Sequence, residues 1–174
     1  MKMNTRVLVL LSLFIGIGAV LHAVIPGYGS GMKPDMLLIM MFLGLLLFPQ
    51  ANYAVVLGIV TGLISGLTTT FPGGFLPNMV DKIITSLVIV LVIIALKKYS
   101  QNVVFAAIIT AVGTIVSGII FLTAALAIVG LPAGFMVLFV AVVLPATVLN
   151  TIAMVVLHPI VQQILRRTTL VPQM

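Results

Sequence analysis

Two aspartates are the only acidic residues in this 174-residue chain, and each belongs to a short run with a lysine: Lys33-Pro34-Asp35 and Asp81-Lys82. A place that holds both signs beside apolar surface suits a zwitterion with an apolar side chain. Its ammonium needs a carboxylate; its carboxylate needs a lysine or the free amides of a helix N-terminus. Either aspartate can serve the first role and either lysine the second. Exposed ion pairs add only about 0–1 kcal/mol, so scarcity, not stability, singles these four residues out. Three further polar residues sit in or next to apolar segments. His22 lies near the end of the first apolar stretch, Asn78 close to Asp81, and Asn150 about one turn after Pro145, whose ring frees a helix carbonyl. Polar groups inside lipid are functional candidates by default, so His22, Asn78 and Asn150 join Lys33, Asp35, Asp81 and Lys82 as candidate substrate ligands.

The elements that must position these residues are membrane helices. The chain is 63% hydrophobic and 6% charged, with mean hydropathy +1.43. Soluble domains average about 25% charged residues, so this one needs lipid as its solvent. The net charge of +6 is scattered in ones and twos, with no stripe and no aromatic interleaving, which argues against nucleic acid. There are no cysteines, hence no thiolate metal site and no disulfide. HExxH, GxSxG and phosphate-loop motifs are absent, and no cofactor is expected, so the chain reads as a non-enzyme.

Pro/Gly-rich breaks divide residues 1–174, read as a single domain, into six apolar segments: about 6–25, 35–48, 53–71, 82–97, 103–129 and 135–166. A crossing takes about 20 residues. The first segment is too long for a signal-peptide core; the second is short, which predicts tilt, a locally thinned bilayer or partial shielding by neighbours. Lys2, Arg6, Lys97, Lys98, Arg166 and Arg167 then fall on one side, and Lys33, Asp35, Asp81 and Lys82 on the other. The positive-inside rule makes both termini cytoplasmic and turns the two charge-balanced loops outward. In this reading no span carries a deep acid, which disfavours an ion-coupled carrier. The loops 71–75 and 131–135, each with a Pro-x-Gly core and a Phe, would line an outer cavity with Phe71 and Phe75 at its rim.

Small residues four apart recur in three segments. Gly58-x3-Gly62-x3-Gly66, with Thr61, Ser65 and Thr69 on the adjacent ridge, and Thr110-x3-Thr114-x3-Gly118, with Gly113 and Ser117, predict close helix packing. On the first segment Ser12, Gly16, Ala19 and Ala23 share a face that would serve either packing or the docking of another membrane subunit.

The stretches Gly31-Met32-Lys33-Pro34-Asp35-Met36, Phe71-Pro72-Gly73-Gly74, Pro77-Asn78-x-x-Asp81-Lys82, Thr110-Ala111-Val112-Gly113-Thr114 and Asn150-Thr151-Ile152-Ala153-Met154 resemble the tryptophan transporter (TrpP) family of Gram-positive bacteria. The resemblance runs in order over nearly the whole chain. That family in turn looks like the substrate-binding S components of energy-coupling factor (ECF) transporters. Those are all-α six-helix integral membrane bundles with an outward-facing, loop-capped site, working with a T subunit and two ATPases in the bacterial cell membrane. The resemblance implies capture of tryptophan or a close aromatic analogue. The family supplies no residue-level site; on the residues themselves, Phe71 and Phe75 would then pack on the indole and His22, Asn78 or Asn150 would accept its N–H. The resemblance also implies that Ser12, Gly16, Ala19 and Ala23 face the T subunit, although they depart from a plain Ala-x3-Ala pattern. A stand-alone secondary carrier and a non-transport assembly subunit are the rival readings.

Overall fold

The computed structural model describes residues 3–25 and 34–167, apart from the side chain of Arg166. Lys33 lies outside the described residues. The elements are helices throughout: α1 (Thr5–Val24), α2 (Met36–Leu47), α3 (Ala51–Leu67), α4 (Phe75–Ala95), a 3-10 turn (Lys97–Tyr99), α5 (Val103–Ile128), α6 (Phe135–Leu138), a π turn (Phe139–Val143) and α7 (Leu144–Arg167). Asn4, Asp35 and Asn102 cap α1, α2 and α5 through their side chains, accepting otherwise unpaired amides of the first turn.

Among the described residues, four rods are long and apolar enough to cross a bilayer: α1, α4, α5 and the continuous α6–α7 stretch Phe135–Leu165. Polarity is inverted as lipid demands. Val9, Leu13, Leu91, Ile108 and Val148 are exposed, while Thr61, Thr85, Thr110, Ser117 and Asn150 are buried. This is a multi-pass membrane protein.

Helices α2 and α3 are shorter, at 12 and 17 residues. Every residue of α2 is buried, and it packs against α1, α3, α4, α5 and α7. A helix apolar all round belongs in a core, and at about 18 Å this one is well short of the bilayer's ~30 Å. Of the options open for the short second segment, the fold uses shielding by neighbours.

The glycine stripe of α3 lies flat on α4. A β-carbon on Gly58 would come within 3.0 Å of the Ile83 Cα and the Lys82 carbonyl, and one on Gly66 within 3.0 Å of the Phe75 carbonyl. On α5, Gly113 receives the ring of Phe42 and Gly118 receives Val143. Both stripes are therefore packing surfaces within the chain. The α1 stripe differs: Ser12, Gly16 and Ala23 are exposed, Ala19 is half-buried, and nothing lies within 4 Å of a β-carbon on Gly16.

The largest departure from the expected element boundaries is at the start of α4. Helix α4 begins at Phe75, not at residue 82. Pro77 falls in its first turn, where a missing N–H costs nothing because those amides have no intrahelical acceptor. Asp81 and Lys82 consequently stand inside the helix at 1% and 3% exposure, and are not loop charges. The expectation that no span carries a buried acid is corrected with them. The α3–α4 and α5–α6 turns do come together, with Gly73 against Val129. Gly73 adopts φ +69°, a left-handed conformation that favours glycine.

Candidate substrate site

A cavity of about 240 Å³ opens between α1, α2, α3, α4, α5 and the π turn with the start of α7. Its polar wall is built around Lys82. The ammonium donates to Asp81 Oδ2 at 2.8 Å, to Asp35 Oδ2 at 3.0 Å and to Ser117 Oγ at 3.2 Å. An ammonium has three N–H bonds, so Lys82 is fully committed to the protein. Asp81 is equally enclosed: Ser117 Oγ donates to its Oδ2 at 2.8 Å and Thr85 Oγ1, one turn along α4, to its Oδ1 at 2.9 Å. Burying charge is tolerable only with this degree of pairing.

Asp35 is held differently. As the α2 N-cap it accepts Leu38 N at 3.0 Å, and its own N–H donates to Asn150 Oδ1 at 2.8 Å. Asn150 in turn donates to Thr114 Oγ1 at 3.1 Å, fixing the α7 start to α5. His22 Nδ1 lies 3.9 Å from Asp35 Oδ1. The Asp35 side chain keeps 27% of its surface open, against 1% for Asp81. With all three groups ionised, two carboxylates share one ammonium and the cluster carries a net negative charge, its more accessible part at Asp35.

The apolar wall comes from Leu38, Phe121, Val142, Val143 and Ala146, with Thr68, Thr69 and Thr70 at the end of α3. Pro145 stands two residues after the π turn, at the second position of α7. Lacking an N–H, it cannot bond to the Ala141 carbonyl, which is one reason the helix widens where Val142 and Val143 meet the cavity.

Of the residues the sequence singled out, His22, Asp35, Asn78, Asp81, Lys82 and Asn150 line this one cavity. Two do not. Phe75 packs on Gly66, and Phe71 stands behind the wall, edge-on to Phe121 with centroids 5.3 Å apart. Asn78 Nδ2 is tied to the Gly74 carbonyl at 2.8 Å. Sequence reasoning took Ser65, Thr114 and Ser117 for packing residues and did not single out Thr85, Phe121 or the cavity role of Thr68-Thr69-Thr70. The i, i+4 spacing of Asp81 and Thr85, and of Ser117 and Phe121, was the available signal.

No solved structure is detectably similar. The model of the family described as tryptophan transporter TrpP matches residues 4–166. A probable tryptophan transport protein of Bacillus subtilis is 54% identical, covering 96% of each chain. Proteins of the same name from Clostridium acetobutylicum and Clostridium perfringens are 42% and 40% identical, over 95% and 96% of this chain and 97% of each relative. A buried ionic cluster lining a cavity in a lipid-facing helical bundle fits that company, and the chain belongs to the tryptophan transporter TrpP family, whose named members are transport proteins, not enzymes.

Proposed function

We propose that this chain captures tryptophan from outside the cell for uptake. The observation that carries the reading is an ionic cluster, partly open at Asp35, at one wall of a small cavity whose other wall is apolar and aromatic, in a chain of this family. Asp35 receives the substrate ammonium, which neutralises the cluster's excess negative charge. Because Lys82 has no donor to spare, the substrate carboxylate falls to Lys33, two residues before Asp35 in sequence. The indole lies against Phe121, with Phe71 supporting that ring from behind. The bundle crosses the cell membrane six times with both termini in the cytoplasm. Membership in a transporter family favours this over a non-transport assembly role.

Uptake needs energy, and the exposed small-residue face of α1, Ser12, Gly16, Ala19 and Ala23, suits an ECF T subunit that brings two ATPases. A second reading, the stand-alone carrier, gains from Asp81: an acid buried within a span is the kind of group ion-coupled carriers use. Proteoliposomes holding this chain alone separate the two. Tryptophan accumulation driven by an imposed proton or sodium gradient selects the carrier; its absence, with uptake restored by the T subunit and ATPases, selects the ECF reading. Capture itself is tested by calorimetry on the purified chain. L-tryptophan should bind, and Asp35→Asn should weaken binding at least about tenfold, as loss of a desolvated charge contact does. Unchanged affinity in the Asp35→Asn/Asp81→Asn double variant would remove the site from consideration.

A further inference from the structure

The cavity has two ends. Asp81, Lys82 and Ser117 mark the ionic one. Phe121 stands one helical turn beyond Ser117 on α5, towards the α3–α4 turn. Ser65 lies towards that same end on α3, because Gly58 meets Lys82, Gly62 meets Asn78 and Met79, and Gly66 meets Phe75. Seven residues separate Ser65 from Gly58, which at 1.5 Å each is about 10 Å along the helix.

Several hydroxyls in and just after the helices of this chain satisfy themselves. Ser12, Thr68, Thr110, Thr123, Thr147 and Thr151 each donate to the carbonyl four residues back, at 2.7–2.9 Å. Ser65 does not. Its residue is 6% exposed, its Oγ has no hydrogen-bond partner among the described residues, and it lines the cavity. A buried hydroxyl left unpaired costs free energy, and a ligand donor reaching it recovers that cost. The neighbouring amides are more committed: Asn150 is engaged through both its oxygen and its nitrogen, and Asn78 Nδ2 is held by the Gly74 carbonyl.

We infer that Ser65 Oγ accepts the indole N–H of tryptophan and sets the preference for tryptophan over aromatic amino acids of the same shape that lack that donor. The inference rests on tryptophan capture as proposed above. With the substrate ammonium on Asp35 at the ionic end, the ring occupies the end walled by Phe121, Val142 and Val143. The indole nitrogen is donor-only and there needs an acceptor. A site that hydrogen-bonds one substrate group rejects the analogue lacking it, because its own polar atom is again left unpaired.

The test titrates the purified full-length chain with L-tryptophan and with L-benzothienylalanine, whose sulfur replaces the indole N–H in a ring of similar shape. Tryptophan should bind about 5- to 10-fold more tightly than the sulfur analogue. Ser65→Ala should erase that difference by weakening tryptophan alone. Thr61→Ala removes a second buried, unpartnered hydroxyl one turn away that does not line the cavity, and should leave the preference intact. Equal affinity of the wild-type chain for both ligands overturns the assignment without recourse to a variant. So does a Ser65→Ala chain that binds tryptophan unchanged or weakens both ligands alike. A wild-type chain that binds neither ligand defeats tryptophan capture itself; one that binds tryptophan yet is indifferent to Ser65 defeats only this assignment.

Discussion

Asp35 and Asp81 have similar sequence surroundings, each near a lysine at the edge of an apolar segment, and they share the same ammonium in space. Their supports are not alike. Asp81 sits inside α4 with three side-chain donors on its two oxygens and almost no exposed surface. Asp35 sits at a helix start, where the Leu38 amide takes one oxygen and Lys82 the other, and over a quarter of its side chain stays open. An acid enclosed on every side is a structural counter-ion. One held by a helix end and a shared lysine can exchange partners with a ligand.

Substitutions can break or sharpen that contrast. Lys82→Met should be the most damaging, since it strands Asp81 without a counter-ion; unfolding of the purified protein should show a loss of about 3–5 kcal/mol. Asp81→Asn keeps the shape but removes the enclosed charge and reverses part of its hydrogen bonding, for a loss of about 1–3 kcal/mol. Adding it to Lys82→Met should restore part of the stability that the single variant loses. Thr85→Val deletes one donor to Asp81 and should cost about 1 kcal/mol in the same measurement. Asp35→Asn should cost least, below about 1 kcal/mol, because asparagine caps a helix as well as aspartate does. It should nevertheless impair tryptophan binding more than Thr85→Val does. If Asp35→Asn destabilised the protein as much as Asp81→Asn, the two acids would be equivalent and the contrast would fall.

Much of the fold was legible because lipid makes sequence simple. The break at 49–50, the Gly130-Leu131-Pro132 turn and the capping asparagine at 102 mark real helix ends. The α4 start was missed for a physical reason. Pro77 and the charged Asp81-Lys82 pair read as loop, yet the first helical turn tolerates proline and the bundle interior supplies partners for the charges. The α3 end was placed four residues late, at 71 instead of 67. Three successive threonines were the overlooked stop signal, since β-branched residues with hydroxyls compete for backbone bonds; Thr69 Oγ1 accepts Phe71 N at 3.2 Å. The charged site residues were found by scarcity. The hydroxyls around them were not, because spacing alone does not say whether a small polar residue in a membrane helix faces a helix neighbour or a cavity.

The total enclosure of α2 has a consequence for how the molecule assembles. The chain is made from its N-terminus, so α2 emerges before α4, α5 and α7, the helices that later wall it in. Its uninterrupted apolar sequence lets it rest against lipid in the meantime, with its backbone amides already paired within the helix. The enclosure of α2 is therefore complete only once those later helices have packed around it, and the reverse step must open the bundle as a whole. Amide hydrogens in α2 should exchange only through that global opening, and so report the stability of the entire domain.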